Sequence, residues 1–277
     1  MSDYGDGDTR KADGTGGGDL VIVDEPAPHV RRITLNRPEK RNAFTPAMLQ
    51  ALQGAFVQAD EDEEVRAVLV SGAGKGFCAG QDLAIFDGIP SPEQVREVVL
   101  DYYRPMILSI VALKKPVIAA INGVAAGAGA SLALACDLRI MAHDASILMA
   151  FSNIGLVPDA GASWFLNRLV GYSRAFEIAA LGERITAEKS LELGLTNWVT
   201  GADTLAEDAL ARARHLAQRP TIALGMTKTA LQQVTQEGLA RILTLEADLQ
   251  AQAAATADHL EGVTAFVEKR TPLFRGR

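Results

Sequence analysis

Cysteine is almost absent from these 277 residues: only Cys78 and Cys136 occur, each inside an apolar or glycine-rich stretch. That excludes a disulfide framework and predicts two buried free thiols. Histidine is scarce too. His29, His143, His215 and His259 are scattered without ligand spacing, so no structural or catalytic zinc site is predicted. Basic residues are outnumbered, 27 Lys and Arg against 34 Asp and Glu, for a net charge of -7. An acidic chain without a basic, aromatic-laced stripe is a poor partner for nucleic acid. No apolar run reaches membrane-spanning length, and no charged-then-apolar leader precedes a cleavage site. A cytoplasmic protein with no membrane partner is the expectation.

The chain is 48% hydrophobic and 22% charged, enough for one large domain or a domain with an appendage. Residues 1–19 are rich in Gly and Asp, lack apolar periodicity, and read as a disordered tail. Short strands are predicted at 20–23 and 30–35 around turn material at 25–28, followed by a polar loop. Thr45 and Pro46 supply an N-cap and a first-turn proline. The helix they open reaches about Asp60, with Met48, Leu49, Leu52, Ala55 and Phe56 on one face. A buried strand at 66–71 runs into a glycine-rich loop over 72–82, where Asp82 is placed to cap a short helix. A long helix is predicted over 91–113. Strands follow at 137–142 and 146–151, then a loop at 155–161 leading into a helix with Trp164, Phe165 and Leu169. Helices near 173–181 and 187–193 have Gly182 and Gly194 as C′ residues, and a strand is expected at 196–199. Beyond Gly201 the spacing is helical only, at about 204–218, 221–235, 238–257 and 261–269. Alternating strands and helices, then helices alone, predict an α/β body over 20–201 and a helical C-terminal piece over 202–277.

The stretch from Val117 to Ala135 is the pivot. An apolar run at 117–121 reads as a buried strand, Asn122 and Gly123 break it, residues 125–130 are all Ala or Gly, and a buried helix is under way from Ser131. Such a strand–turn–helix can aim free backbone N–H groups at an anion, or at an oxygen becoming one. It can equally serve tight packing alone. Gly127 and Gly129 permit close approach of another group to the backbone.

Four segments stand in order: Ile33-Thr-Leu-Asn-Arg-Pro-Glu-Lys-Arg-Asn-Ala-Phe44, Gly76-Phe-Cys-Ala-Gly-Gln-Asp-Leu83, Lys115-Pro-Val-Ile-Ala-Ala-Ile-Asn-Gly-Val-Ala-Ala-Gly-Ala-Gly129 and Gly155-Leu-Val-Pro-Asp-Ala-Gly161. With the closing stretch over 261–274, they resemble the crotonase (enoyl-CoA hydratase/isomerase) superfamily across about 20–274. The resemblance implies a crotonase-like spiral of ββα units and a C-terminal helical region that builds a homotrimer or a dimer of trimers. It implies an acyl-CoA thioester as substrate, with no separate cofactor and no metal. It places an oxyanion hole at the backbone N–H groups of Gln81 and Ala128. By the same resemblance CoA is wrapped by Lys40, Arg41 and Ala43 and by Ala79, Asp82 and Leu83. Phe266 and Lys269 would approach its adenine or phosphates from a neighbouring subunit. Taken alone, Lys40, Arg41 and Lys269 are ordinary surface charges.

The superfamily's hydratases use two glutamates, which fall here on Ser131 and Phe151. Without a carboxylate pair, water has nothing to take its proton and supply another to the α-carbon. One acid, Asp159, matches the acid of the Δ3,Δ2-enoyl-CoA isomerases and of the 1,2-epoxyphenylacetyl-CoA isomerase branch. That branch carries a Phe-Ser-x-Ile-Gly-Leu-x-Pro-Asp-x-Gly stretch similar to the one from Phe151 to Gly161. The resemblance therefore implies an isomerase in which Asp159 shuttles a proton through a thioester enolate. On its own residues, Asp159 reads as readily as the N-cap of the next helix. An apolar lining from Phe86, Met149, Phe151 and Trp164 would raise its basicity. The acyl pocket is expected from residues 83–90 and the C-terminal helices. The alternatives are an enoyl-CoA hydratase using Asp159 or another acid, and an acyl-CoA-holding protein without turnover.

Overall fold

The computed structural model describes residues 19–86, 88–219, 221–232 and 236–272. The predicted tail, Asp19 apart, lies outside the described residues, as does the end of the closing motif. Two strands open the chain, β1 (Val21–Ala27) and β2 (Val30–Leu35), paired antiparallel. β1 runs through Glu25 and Pro26 to Ala27, into the predicted turn material, and the reversal falls on Pro28 and His29, the latter at φ 63°. Helix α1 (Pro46–Glu61) begins as predicted: the Thr45 side chain accepts the Met48 N–H, and Met48, Leu49, Leu52, Ala55, Phe56 and Ala59 face inward.

From there the chain repeats one manoeuvre. β3 (Ala67–Gly72) is followed by β4 (Gly76–Cys78), β5 (Val117–Ile121) by β6 (Val124–Ala126), and β7 (Leu138–Ala142) by β8 (Ser146–Leu148). The first strand of each couple joins a six-stranded sheet and the second joins a four-stranded one. With β9 (Arg184–Thr186) and β10 (Trp198–Thr200), the orders are β1-β2-β3-β5-β7-β10 and β4-β6-β8-β9. Pairing among β3, β5 and β7, and among β4, β6 and β8, is parallel. This is the expected α/β spiral of ββα units. β4, β6 and β9 were not predicted as strands, and β8 stops three residues short of its predicted end. Strands of three residues are too short to show a readable alternation.

The predicted long helix is three segments: α2 (Pro92–Glu97), a π-helical stretch (Val98–Tyr103) and α3 (Arg104–Ala112). Pro105 explains the widened turn, because it has no N–H for the Asp101 carbonyl and its ring crowds that oxygen. Helix α4 (Ala128–Ala135) starts three residues earlier than the apolar pattern suggested and is buried along its whole length. Helices α5 (Ala162–Val170), α6 (Tyr172–Leu181) and α7 (Ala187–Glu192) follow, and Gly182 caps α6 at φ 57°. After β10 come α8 (Leu205–Ala217), α9 (Thr221–Gln232), α10 (Gln236–Ala254) and α11 (Ala257–Glu268). α8 buries Leu205, Ala209, Ala213 and Ala217, and packs on β3, β5 and β7. α10 returns over α2, where Arg96 donates to Asp248 at 2.7 Å. α11 docks on the turn at Ser152–Ile154 through His259 and Gly262. No helix of the described residues is long and apolar enough to cross a membrane.

The two thiols are buried and free, as predicted, with Cys78 Sγ donating to the Asn42 carbonyl. Burial pushes both up to about 12. Cys78 also sets how closely α4 packs: a Cβ on Gly129 would stand 2.4 Å from the Cys78 carbonyl and 2.8 Å from its sulfur. Gly129→Ala should therefore cost about 1–3 kcal/mol. Gly54, inside α1, is the internal control, because a Cβ there would meet nothing within 4 Å. Gly54→Ala should gain about 0.5–1 kcal/mol. Urea unfolding of both variants checks the contrast in sign.

Candidate active site

Parallel pairing sends the chain out of β4, β6 and β8 at one end of the small sheet, so the loops that follow those strands are neighbours. Gln81 follows β4, Ala128 follows β6, and Phe151 and Asp159 follow β8. The first two loops touch. A Cβ on Gly80, which has φ 88°, would lie 2.8 Å from the Ala126 carbonyl and 3.5 Å from the Ala128 nitrogen. Gln81 bridges Phe44 in parallel fashion, but the two hydrogen bonds use the Gly80 carbonyl and the Asp82 N–H. The Gln81 N–H is therefore not spent on Phe44. Ala128 is the first residue of α4, and a first-turn N–H has no intrahelical acceptor. Gly127, at φ 51°, turns the chain into that helix. Two backbone donors thus sit beside one another, one of them at the positive end of a helix.

The segments assigned to CoA come together as well. The Ala79 N–H donates to the Arg41 carbonyl at 2.9 Å and the Phe44 N–H to the Gly80 carbonyl at 2.7 Å. Lys40, Arg41 and Ala79 are exposed, Ala43 is buried, and Leu83 is half-buried. Asp82 is held by Arg37 at 2.9 Å and caps the 3-10 turn at Leu83–Ile85, accepting the Ala84 N–H as predicted. Asn42, passed over in the sequence, is the bolt of this region. It is fully buried at φ 58°, and its Nδ2 lies 3.0, 2.8 and 3.1 Å from the carbonyls of Ala73, Gly76 and Phe77. Phe266 and Lys269 are exposed on and just beyond α11.

Asp159 is 7% exposed. It does not cap α5: the N-cap is Gly161, with no side-chain cap bond. The capping alternative falls because Ala160 and Gly161, both at positive φ (49° and 81°), swing the chain between Asp159 and the helix. A buried alanine in that conformation is strained, and such strain gathers at working sites. The side chain of Asp159 is left facing inward. Gln250 Nε2 donates to its Oδ2 at 2.9 Å, and among the described residues its Oδ1 has no partner. Burial pushes the carboxyl up to about 7, with the Gln250 bond pulling the other way. Tyr103, ending the π-helical stretch, donates to Gln81 Oε1 at 2.5 Å. Burial, with Asp159 and Cys78 nearby, pushes that phenol well above its usual range. Phe151 and Met149 are buried, as an apolar lining requires. Trp164 packs instead against Gly238 of α10 and carries the Arg168 guanidinium 4.9 Å from its ring centre. Ser131 donates to the Asp159 carbonyl at 3.0 Å. Among the described residues no group of three or more His, Cys, Asp or Glu could hold a metal ion.

The family model for Enoyl-CoA hydratase/isomerase matches residues 26–277. The chain belongs to the enoyl-CoA hydratase/isomerase family. It is 44% identical to the 1,2-epoxyphenylacetyl-CoA isomerase of Escherichia coli (strain K12), over 90% of this chain and 95% of that protein. It is 37% identical to the 2,3-dehydroadipyl-CoA hydratase of the same organism, over 88% of this chain and 94% of the other. The crystal structure of an enoyl-CoA hydratase from Mycobacterium avium subsp. paratuberculosis K-10 superposes with a TM-score of 0.83 at 34% identity, covering 93% of this chain and 99% of that one. An enoyl-CoA hydratase/isomerase acts on acyl-CoA thioesters, and relatives of both reaction types stand close to this one.

The burial of Asp159 has a cost that depends on pH. Its folded value, about 7, lies above the ordinary 3.8. Between those values the folded state keeps a proton that the unfolded chain has lost, so unfolding free energy falls as pH rises. Asp159→Asn removes that slope. The stability of the variant relative to the parent should grow from pH 4 to pH 7 by roughly 4 kcal/mol at most, and level off above. Urea midpoints across that range measure it.

Proposed function

We propose that this protein is an acyl-CoA isomerase working through a thioester enolate, with Asp159 as the single proton carrier. The thioester oxygen would lie between the N–H groups of Gln81 and Ala128. Oδ1 of Asp159 would take a proton from C2, and the electrons would move onto that oxygen. Fixed donors favour the enolate over the neutral thioester, because full negative charge reaches the oxygen only after proton loss. The same carboxyl then returns the proton at a vinylogous carbon and moves a double bond, or the electrons open a strained ring. One carboxyl suffices because nothing is added to the substrate.

The observation that carries this reading is Asp159, the one buried carboxyl among the described residues, with one oxygen that none of them partners. Its shift comes from burial, against which the Gln250 bond pulls. Ser131 and Phe151 leave the site without the pair that hydration calls for. An ordinary aspartate would be a weak base for an α-proton, and one lifted to about 7 is better matched to the task. Lys40, Arg41, Ala43, Ala79, Asp82 and Leu83 would line the CoA path, and the residues after 202 would build a trimer or a dimer of trimers that brings a neighbour's Phe266 and Lys269 to the nucleotide. Exposed apolar side chains on the helices, Tyr172, Phe176, Ile222, Met226 and Phe266, support such an assembly.

The test is a panel of 3-enoyl-, 2-enoyl- and phenylacetyl-derived CoA esters. The parent should isomerise a 3-enoyl-CoA or an epoxide-bearing ester. Asp159→Asn should lose turnover by about a hundredfold or more while still binding acyl-CoA in calorimetry. Near-normal turnover in the variant, or efficient hydration of crotonyl-CoA by the parent, would overturn the assignment.

A further inference from the structure

Gln250 sits 91 positions beyond Asp159, on α10, in the helical part of the chain. It is 1% exposed and both ends of its amide are used. Nε2 donates to Asp159 Oδ2 at 2.9 Å, and Oε1 accepts the Val157 N–H at 3.2 Å. The amide therefore grips the loop twice, once on the main chain two residues before Asp159 and once on the carboxyl itself. The second grip selects between two otherwise equivalent oxygens: Oδ2 is occupied, and Oδ1 is buried and unpaired. A buried acceptor left without a donor is a net cost, which a reacting C–H or its transferred proton can offset and a structural carboxyl would not leave standing. α10 is itself anchored by the pair of Arg96 with Asp248, two residues before Gln250, and by Gly238 lying against the Trp164 ring.

We propose that Gln250 is the positioning residue for Asp159, holding Oδ2 so that Oδ1 alone meets the substrate, and that α10 is for this reason a working wall of the active site. This rests on the reading of Asp159 as the proton carrier. Among the described residues, the titratable and charged groups on the elements around that carboxyl are few. Tyr103 comes from the π-helical stretch, and the Ser131 hydroxyl of α4 is spent on the Asp159 carbonyl. Arg168 of α5 lies over Trp164, and Arg96 and Asp248 pair with each other. Among the described residues Gln250 is the neighbour that donates to the carboxylate, and that bond favours the charged form.

Two variants remove the amide. Gln250→Met keeps the length of the side chain and loses both bonds. Gln250→Leu loses both bonds with a shorter, branched side chain, so an effect common to the two belongs to the lost amide. The readout is the pH profile of solvent-deuterium exchange at C2 of a 3-enoyl-CoA, with thermal unfolding confirming that each variant is folded. Both variants should lose kcat by about ten- to a hundredfold with KM little changed. In both, the acid limb, which rises as Asp159 deprotonates, should move to higher pH. A structural residue would not move that limb. Parent-like kcat and an unmoved limb in both variants would overturn the proposal. Asp159→Asn run alongside keeps the two claims apart. If it exchanges normally, the proton-carrier reading fails and takes this inference with it. If it is inert while the Gln250 variants match the parent, only the positioning role fails.

Discussion

Backbone-to-backbone closeness in the small sheet is the constraint from which the rest of the molecule follows. β4, β6 and β8 are three residues each and run parallel, so the loops leaving them share one end. They approach so closely that Gly80 and Gly129 have no room for a Cβ. The closeness sets Gln81 beside Ala128 and brings the 40–43 and 79–83 segments into register through Asn42 and Phe44. A side chain at either glycine would push the loops apart, and the two N–H groups would separate with them. Ligand sites at the carboxyl ends of parallel strands are a general outcome of this architecture. Here the reason is concrete: that is where main-chain donors are left over once the short strands have paired.

The second constraint is electrostatic. Asp159 is buried, its basicity is raised, and one of its oxygens is unsatisfied. A fold gains nothing in stability from this arrangement. On the proposed reading the charge has somewhere to go: when Asp159 takes a proton, negative charge leaves the apolar interior around it and arrives at an oxygen facing backbone dipoles. Desolvation that penalises the carboxylate and donors that favour the enolate then push in the same direction. The strained Ala160 fits the same logic, since relaxing its φ toward the helical region would turn Asp159 into an ordinary cap of α5.

Much of this was legible in the chain. The Thr45–Pro46 start of α1, the buried cysteines and the Asp82 cap follow from local chemistry, and the structure keeps all of them. What escaped did so for identifiable reasons. β4, β6 and β9 are too short for a period-two pattern, and β4 lies inside a glycine-rich run that reads as loop. The π-helical stretch depends on Pro105 acting on the turn before it, which an apolar pattern over 91–113 averages away. Asn42 works through φ and three carbonyls from a distant segment. Gln250 is an ordinary glutamine in an alanine-rich helix until the fold sets it against a residue 91 positions earlier. Local signals announce caps and cores; a partner chosen by tertiary packing leaves no trace in its own neighbourhood.

The split between reaction types within one fold can be argued on the same terms. Adding water needs a group to take its proton and a second proton source at the α-carbon, hence two carboxyls on opposite sides of the reacting atoms. Moving a double bond needs one carboxyl able to reach two carbons of the same substrate. In this chain Ser131 ties α4 to the Asp159 main chain, and Phe151 fills apolar space. Both residues thus support the loop carrying the remaining acid where a hydratase would present a second one. Restoring glutamate at either place would put a second charge into a site already unfavourable to one, next to a carboxyl whose raised basicity depends on the absence of water. On the proposed reading, then, the surroundings of Asp159 suit a single acid.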